Sequence, residues 1–149
     1  NGAATQPPLN PRSRLTRGTA LIEFALAWPI ALLLALGSVE TAVWGSEAYA
    51  ARSAALAGAR AAAATGGTPV LAVEVTRRIL SPSLVGVSSS AWCPGGTQAA
   101  PALWVCATDL GDAVQVEVGG MVPAIVPLVG ADGLPLHARV VVQKEVFSR

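Results

Sequence analysis

Residues 19–39 read TALIEFALAWPIALLLALGSV, a run of 21 residues in which Glu23 is the one charged side chain. An α-helix rises about 1.5 Å per residue, so a run of this length reaches across a hydrocarbon core of roughly 30 Å. Residues 24–37 have no polar face, which argues against a helix covering the core of a soluble domain. Arg12, Arg14 and Arg17 precede the run and Glu40 follows it; by the positive-inside rule this predicts a cytoplasmic N-terminus. A cleaved secretory signal shares the basic-then-apolar order. Here helix-forming sequence continues past the run without a break, and no A-x-A site stands at a helix end before a loop. The reading is a single membrane span at about 19–39.

The rest of the composition agrees. Of 149 residues, 52% are hydrophobic and 13% charged, against roughly 25% charged in an average soluble domain. That excludes a disordered polar chain. A formal net charge of +1 gives no reason to expect a nucleic-acid partner. All nine acidic residues lie within or after the apolar run, whereas three of the ten Lys and Arg residues stand just ahead of it.

Two residues are unusual for a plain anchor. Glu23 falls about 6 Å inside the run, where an unpaired carboxylate costs on the order of a few kcal/mol. Pro29 removes a backbone hydrogen bond and predicts a kink, which neighbouring helices in a bundle tolerate. Snorkelling of Glu23 to the interface is one explanation. The other gives it a cationic partner on another chain.

Residues 17–29 read Arg17-Gly18-Thr19-Ala20-Leu21-Ile22-Glu23-Phe24-Ala25-Leu26-Ala27-Trp28-Pro29. Glu23 is fifth after Gly18, with Thr19 counted as the first, and Phe24 is sixth. This pattern resembles the processing site of type IV pilin-like proteins, and most of all the TadE-like minor pseudopilins of tight-adherence (Tad) pili. In that family a Gly precedes the cut, and an acidic fifth residue, Phe, a long apolar helix and often an early Pro follow it. The resemblance implies a prepilin peptidase acting between Gly18 and Thr19. The new ammonium of Thr19 then pairs with Glu23, within or between subunits, and a paired carboxylate in lipid is far cheaper than a lone one. The implied partners are other pilin or pseudopilin subunits bound through the N-terminal helix, the prepilin peptidase, the pilus assembly platform and the membrane. Glu23, Phe24 and Pro29 become the assembly residues. The implied location is the cell membrane, and the extracellular pilus after assembly.

The remaining chain predicts an α+β arrangement. Residues 1–18, with Pro7, Pro8 and Pro11, read as a flexible leader. The long helix is expected over 19–65, ending near Ala64 with Gly66-Gly67 as its stop, and an extracytoplasmic α+β domain over 66–149. In the outer half of that helix, Tyr49, Leu56 and Ala63 share one face, and Glu40, Trp44, Glu47 and Ala51 another. Thr68-Pro69 reads as a cap opening a short helix to Leu80 that buries Leu71, Val75 and Ile79. Beyond it the period becomes two: Val114, Val116, Val118 and then Leu136, Ala138, Val140, Val142 alternate with mostly polar neighbours. Leu84–Val87 and Leu103–Ala107 are weaker strand candidates, and a small antiparallel sheet on the outer half of the long helix follows. A strand, an apolar Pro-containing loop and a long last strand also resemble the C-terminal part of TadE-like proteins. There the family places an Arg close before a Glu, whereas Arg139 and Glu145 stand further apart.

Cys93 and Cys106, the two cysteines, fall on the side expected to be outside the cytoplasm, where a disulfide forms readily; two structural thiols are the alternative. With one distant histidine they do not make a four-ligand zinc site, so no metal or other cofactor is expected. His137 reads as an exposed residue of the last strand, and no Ser-His-Asp or Cys-His set can be assembled around it. Asp109 and Asp112 flank Gly111 and read as turn residues. No phosphate-binding loop is present, so no enzyme is expected. The stretch Gly119–Pro135 is unusually apolar for a loop. It packs as a lid on the sheet edge, or it offers a partner surface through Met121, Val122, Ile125, Val126 and Leu128. The functional expectation is a pseudopilin that catalyses nothing. The alternative is an uncleaved single-span protein whose outer domain binds a ligand or cell-wall component.

Overall fold

The computed structural model describes residues 12–125 and 133–144, with side chains from Ala20 onward. Helix α1 spans Arg12–Ala63 and helix α2 Pro69–Leu80, followed by a 3-10 turn at Ser81–Ser83. Four strands complete the chain: β1 (Ser90–Ala91), β2 (Leu103–Asp109), β3 (Ala113–Val122) and β4 (Leu134–Gln143). The chain divides into two compact units, Asn1–Ser38 and Val39–Arg149. The fold is α+β, as the sequence predicts. The helical conformation begins at Arg12 instead of Thr19, so the basic residues Arg12, Arg14 and Arg17 lie within α1.

In the first unit, α1 runs through Pro29 without interruption. Every described residue from Ala20 to Val39 is exposed. Among the described residues, none of Ala20–Val39 belongs to the buried core cluster.

The second unit holds the core. Helix α1 ends where Gly66 takes a left-handed φ of 80°, and Gly67 donates its N–H to Ala64 O at 2.9 Å. The Thr68 side chain caps α2 by accepting from Leu71 N at 3.2 Å, with Pro69 in the first helical position. The buried face of α2 differs from the expected one by a single residue: Ala72, Thr76 and Leu80 are buried, while Leu71 and Ile79 are 40% and 41% exposed. Close helix approach explains the rotation. A Cβ added at Gly58 of α1 would stand 2.0 Å from Thr76 Oγ1 and 2.6 Å from Ala72 O. Only small residues fit that crossing, so α2 turns its Ala-Thr stripe inward and leaves the bulkier stripe outside.

The sheet has the order β1-β2-β3-β4. Strands β2, β3 and β4 pair antiparallel, but β1 pairs parallel to β2 through Ser90↔Trp104 and Ala91↔Val105, so the sheet is mixed. The expected strand at Leu84–Val87 does not form. Gly86 takes a φ of 73°, outside the extended region, and the Val85 N–H is held by a side chain instead of a ladder. The inward row of β3, Val114, Val116, Val118 and Val122, is at most 1% exposed and packs with Leu103, Val105 and Leu136. Each fully buried valine contributes roughly 1.5–3 kcal/mol. The alanines facing them from α1, Ala51, Ala54, Ala55, Ala59 and Ala62, bury far less area each. The valines therefore dominate the driving force, and the alanines set the distance.

The turn after β2 is shaped as expected. Leu110 N–H donates to Ala113 O at 2.9 Å, and Gly111 N–H to Asp109 Oδ1 at 2.8 Å. The Lys144 ammonium grips both Asp109 oxygens at 2.7 and 2.8 Å. This hydrogen bond, with help from Gly111, holds the Asp109 carboxyl below the usual aspartate range.

The α1–α2 crossing yields a test. Gly58→Ala forces the two helices apart and is expected to lower the unfolding free energy of the second unit by about 1–3 kcal/mol. Gly45→Ala meets nothing within 4 Å and is expected to be neutral or stabilising by up to about 1 kcal/mol. Denaturant titration of the full chain in detergent, followed by tryptophan fluorescence, checks both.

Candidate assembly site

The apolar segment expected to carry function is the first part of α1, exposed all round among the described residues. From residue 21 to 39 its large side chains are exposed to between 43% (Leu32) and 71% (Leu21). Helix α1 is long and apolar enough to cross a membrane by length and composition. Phe24 and Trp28, one turn apart, stack with ring centroids 5.8 Å apart. Glu23 lies next to Phe24 on this exposed surface, and no ion pair to it is formed among the described residues. Gly18 and Thr19 belong to the helical backbone of α1, and their side chains lie outside the described residues. Glu23, Phe24 and Pro29 thus occupy one continuous helix.

The same helix does different work in the second unit. Glu40 is 6% exposed and Glu47 3%. Both carboxylate oxygens of Glu40 accept the Ile125 N–H at 3.1 Å, and Glu47 Oε1 accepts the Val85 N–H at 3.3 Å. Between them Trp44 donates its Nε1–H to Pro135 O at 3.0 Å. Glu40, Trp44 and Glu47 therefore form a polar seam. Backbone groups of the segments after α2, after β3 and at the start of β4 attach to it. The spacing in sequence reveals the shared face. It does not reveal that the face is buried or that carboxylates capture loop amides there.

The disulfide expected between Cys93 and Cys106 is present, with Cα atoms 4.8 Å apart. It joins the segment just after β1 to β2, beside Trp92 N–H donating to Val105 O at 3.1 Å. Pro94 has no N–H to continue this pairing, which accounts for the shortness of β1. Trp92 meets Trp104 edge-on at 5.4 Å, and Trp104 covers Gly119 on the neighbouring strand so closely that a Cβ there would stand 2.4 Å from the ring. Closing a loop of this size stabilises by about 3 kcal/mol in the chain-entropy account.

The apolar stretch Gly119–Pro135 needs correction as a loop. Gly119–Val122 are the end of β3, and Leu134–Pro135 open β4 across from them. Val122 is 1% exposed and belongs to the core, because its strand parity points it inward with Val118. It is not available to a partner. Met121 is 37% exposed and Ile125 54%. Val126 and Leu128 lie outside the described residues. His137 is exposed on the outer face of β4, with Nε2 2.7 Å from Glu117 Oε1. Among the described residues no cluster of three or more His, Cys, Asp or Glu is placed to hold a metal.

The buried seam yields a test. Glu40→Ala removes a charged acceptor from the Ile125 amide and is expected to cost roughly 1–3 kcal/mol. Hydrogen exchange should accelerate at Ile125 before it does at Val116 in the central strand. Glu40→Gln, which keeps an acceptor of the same reach, is expected to lose less.

Residues 18–60 match the family model described as TadE-like protein. No curated protein and no solved structure shows a significant match. The segment that begins at Gly18 and takes in Glu23, Phe24, Pro29, Glu40 and Glu47 is thus similar to TadE-like proteins.

Proposed function

We propose that the chain is a pseudopilin: a subunit stored in the membrane by α1 and packed through the same helix into a tight-adherence pilus. The observation that carries the reading is the bare apolar surface from Ala20 to Val39, interrupted by Glu23 five residues after Gly18 inside the TadE-like segment. In this reading a prepilin peptidase cuts between Gly18 and Thr19 from the cytoplasmic side, where Arg12, Arg14 and Arg17 hold the N-terminus. The α+β unit lies outside the cytoplasm, consistent with its disulfide. Work comes from the assembly platform. The subunit catalyses nothing and takes no cofactor.

The chemistry of Glu23 decides between a pilin-type subunit and a plain anchor. Before the cut, the carboxylate in lipid is a liability. After it, the Thr19 ammonium is one helical turn away on its own chain, and within reach of a neighbour's carboxylate in a bundle of such helices. Pairing removes most of the penalty and specifies which helices can pack together.

Glu23→Ala leaves that ammonium without its partner. Breaking a buried pair costs about 3–5 kcal/mol, so incorporation into pili is expected to fall sharply while membrane levels and the outer unit stay normal. Glu23→Gln, which keeps hydrogen bonding, is expected to fall between. Immunoblots of membrane and sheared-pilus fractions read both. Wild-type incorporation of the Ala variant would contradict the assignment.

A further inference from the structure

Strand β4 is a sheet edge, ten residues long and without a bulge. In its ladder with β3 the even-numbered residues are the hydrogen-bonded ones, since Lys144 N–H donates to Asp112 O in the same register. The N–H and C=O groups of His137, Arg139, Val141 and Gln143 therefore point away from β3. No described residue bonds to them. At the start of the strand the corresponding carbonyl, Pro135 O, is taken by Trp44. Among the described residues, the row from 137 to 143 is left open.

Soluble proteins commonly blunt such an edge with prolines, bulges or charges directed over it. Here the cations of this strand are drawn the other way. Arg139 Nη2 donates to Gln115 Oε1, His137 Nε2 lies 2.7 Å from Glu117 Oε1, and Lys144 just beyond β4 reaches across to Asp109. The first two fold back over the outer face of the sheet, and the third closes its end. Val141, 52% exposed, stands at the middle of the unguarded stretch.

We propose that β4 is a self-pairing edge, at which a second copy of this chain adds its own β4 antiparallel, with Arg139 of one copy opposite Val141 of the other. An open backbone edge is satisfied by an extended backbone, and a two-fold axis makes one edge complementary to itself. Charge and the number of open groups used together select the register. Sliding by one hydrogen-bonding step sets Arg139 against Arg139 of the second copy and opposes like charges; sliding one step the other way sets Val141 against itself and leaves His137 outside the paired row. With Arg139 facing Val141, His137 faces Gln143 and Val140 faces its own counterpart at the axis. This alignment uses all four open positions and opposes no like charges. The contact lies within the second unit, and it does not depend on the assembly role of α1.

The test uses the full chain in detergent micelles, with sedimentation equilibrium for dimerisation and hydrogen exchange for the Arg139 and Val141 amides. The wild-type chain is expected to dimerise with both amides protected. Val141→Lys places like charges opposite each other twice per dimer and should weaken the dimer by on the order of fivefold. Val141→Glu faces Arg139 with an opposite charge and should tighten it by a similar factor. Val141→Pro removes an N–H that makes no ladder bond within the chain, so the monomer should remain folded and the dimer and its amide protection should be lost. A wild-type monomer with rapidly exchanging Arg139 and Val141 amides would overturn the proposal, as would a dimer indifferent to Lys and Glu. If both charges weaken the dimer, Val141 faces itself, and the stated pairing is wrong.

Discussion

A helical surface that is apolar on every side and touches no core of its own is the constraint on which everything else in this molecule depends. Leaving one large apolar side chain in water forgoes roughly 1.5–3 kcal/mol, and α1 presents such side chains from Leu21 to Val39 on all sides. Their sum, on the order of 20 kcal/mol, exceeds the 5–15 kcal/mol net stability of an ordinary domain. No rearrangement of the second unit can offset a deficit of that size. The first segment needs lipid or other helices of the same kind.

The outer portion of the helix solves a different problem with different residues. Alanines and Gly58 bring α2 and the valine-lined sheet close, while Glu40, Trp44 and Glu47 hold the connecting segments by their backbone. Buried carboxylates are expensive without partners. Here each receives at least one backbone N–H, and the strength of such charge-assisted bonds is what makes burial tolerable. One helix is thus apolar and exposed along its first part, and small and polar where it holds the second unit together.

Much of this was legible in the residues. The stop at Gly66, the cap at Thr68 and the alternating strands around Val116 and Val140 are local signals, and the structure carries them at the expected places. What failed depended on tertiary contacts. The inward face of α2 is selected by Gly58 on another helix, which no period within Pro69–Leu80 encodes. Leu84–Val87 is apolar enough for a strand, yet Glu47 claims the Val85 amide and Gly86 turns the chain away. Ser90–Ala91 has no strand signature; its place beside β2 follows from the Cys93–Cys106 bond and the Trp92–Trp104 contact. Val122 looked like loop because Gly119 and Gly120 precede it, whereas Trp104 fills the space above the first of them and keeps the strand intact.

The central claim is that the exposed helix is exposed for assembly, and that its charge pair is created by a cut. N-terminal sequencing of the native chain, recovered separately from membranes and from sheared pili, tests this most directly. The account predicts that the pilus fraction begins at Thr19, with Glu23 as its fifth residue. A pilus fraction that retains Gly18 and the residues before it, or a chain found only in membranes and uncut, would contradict it.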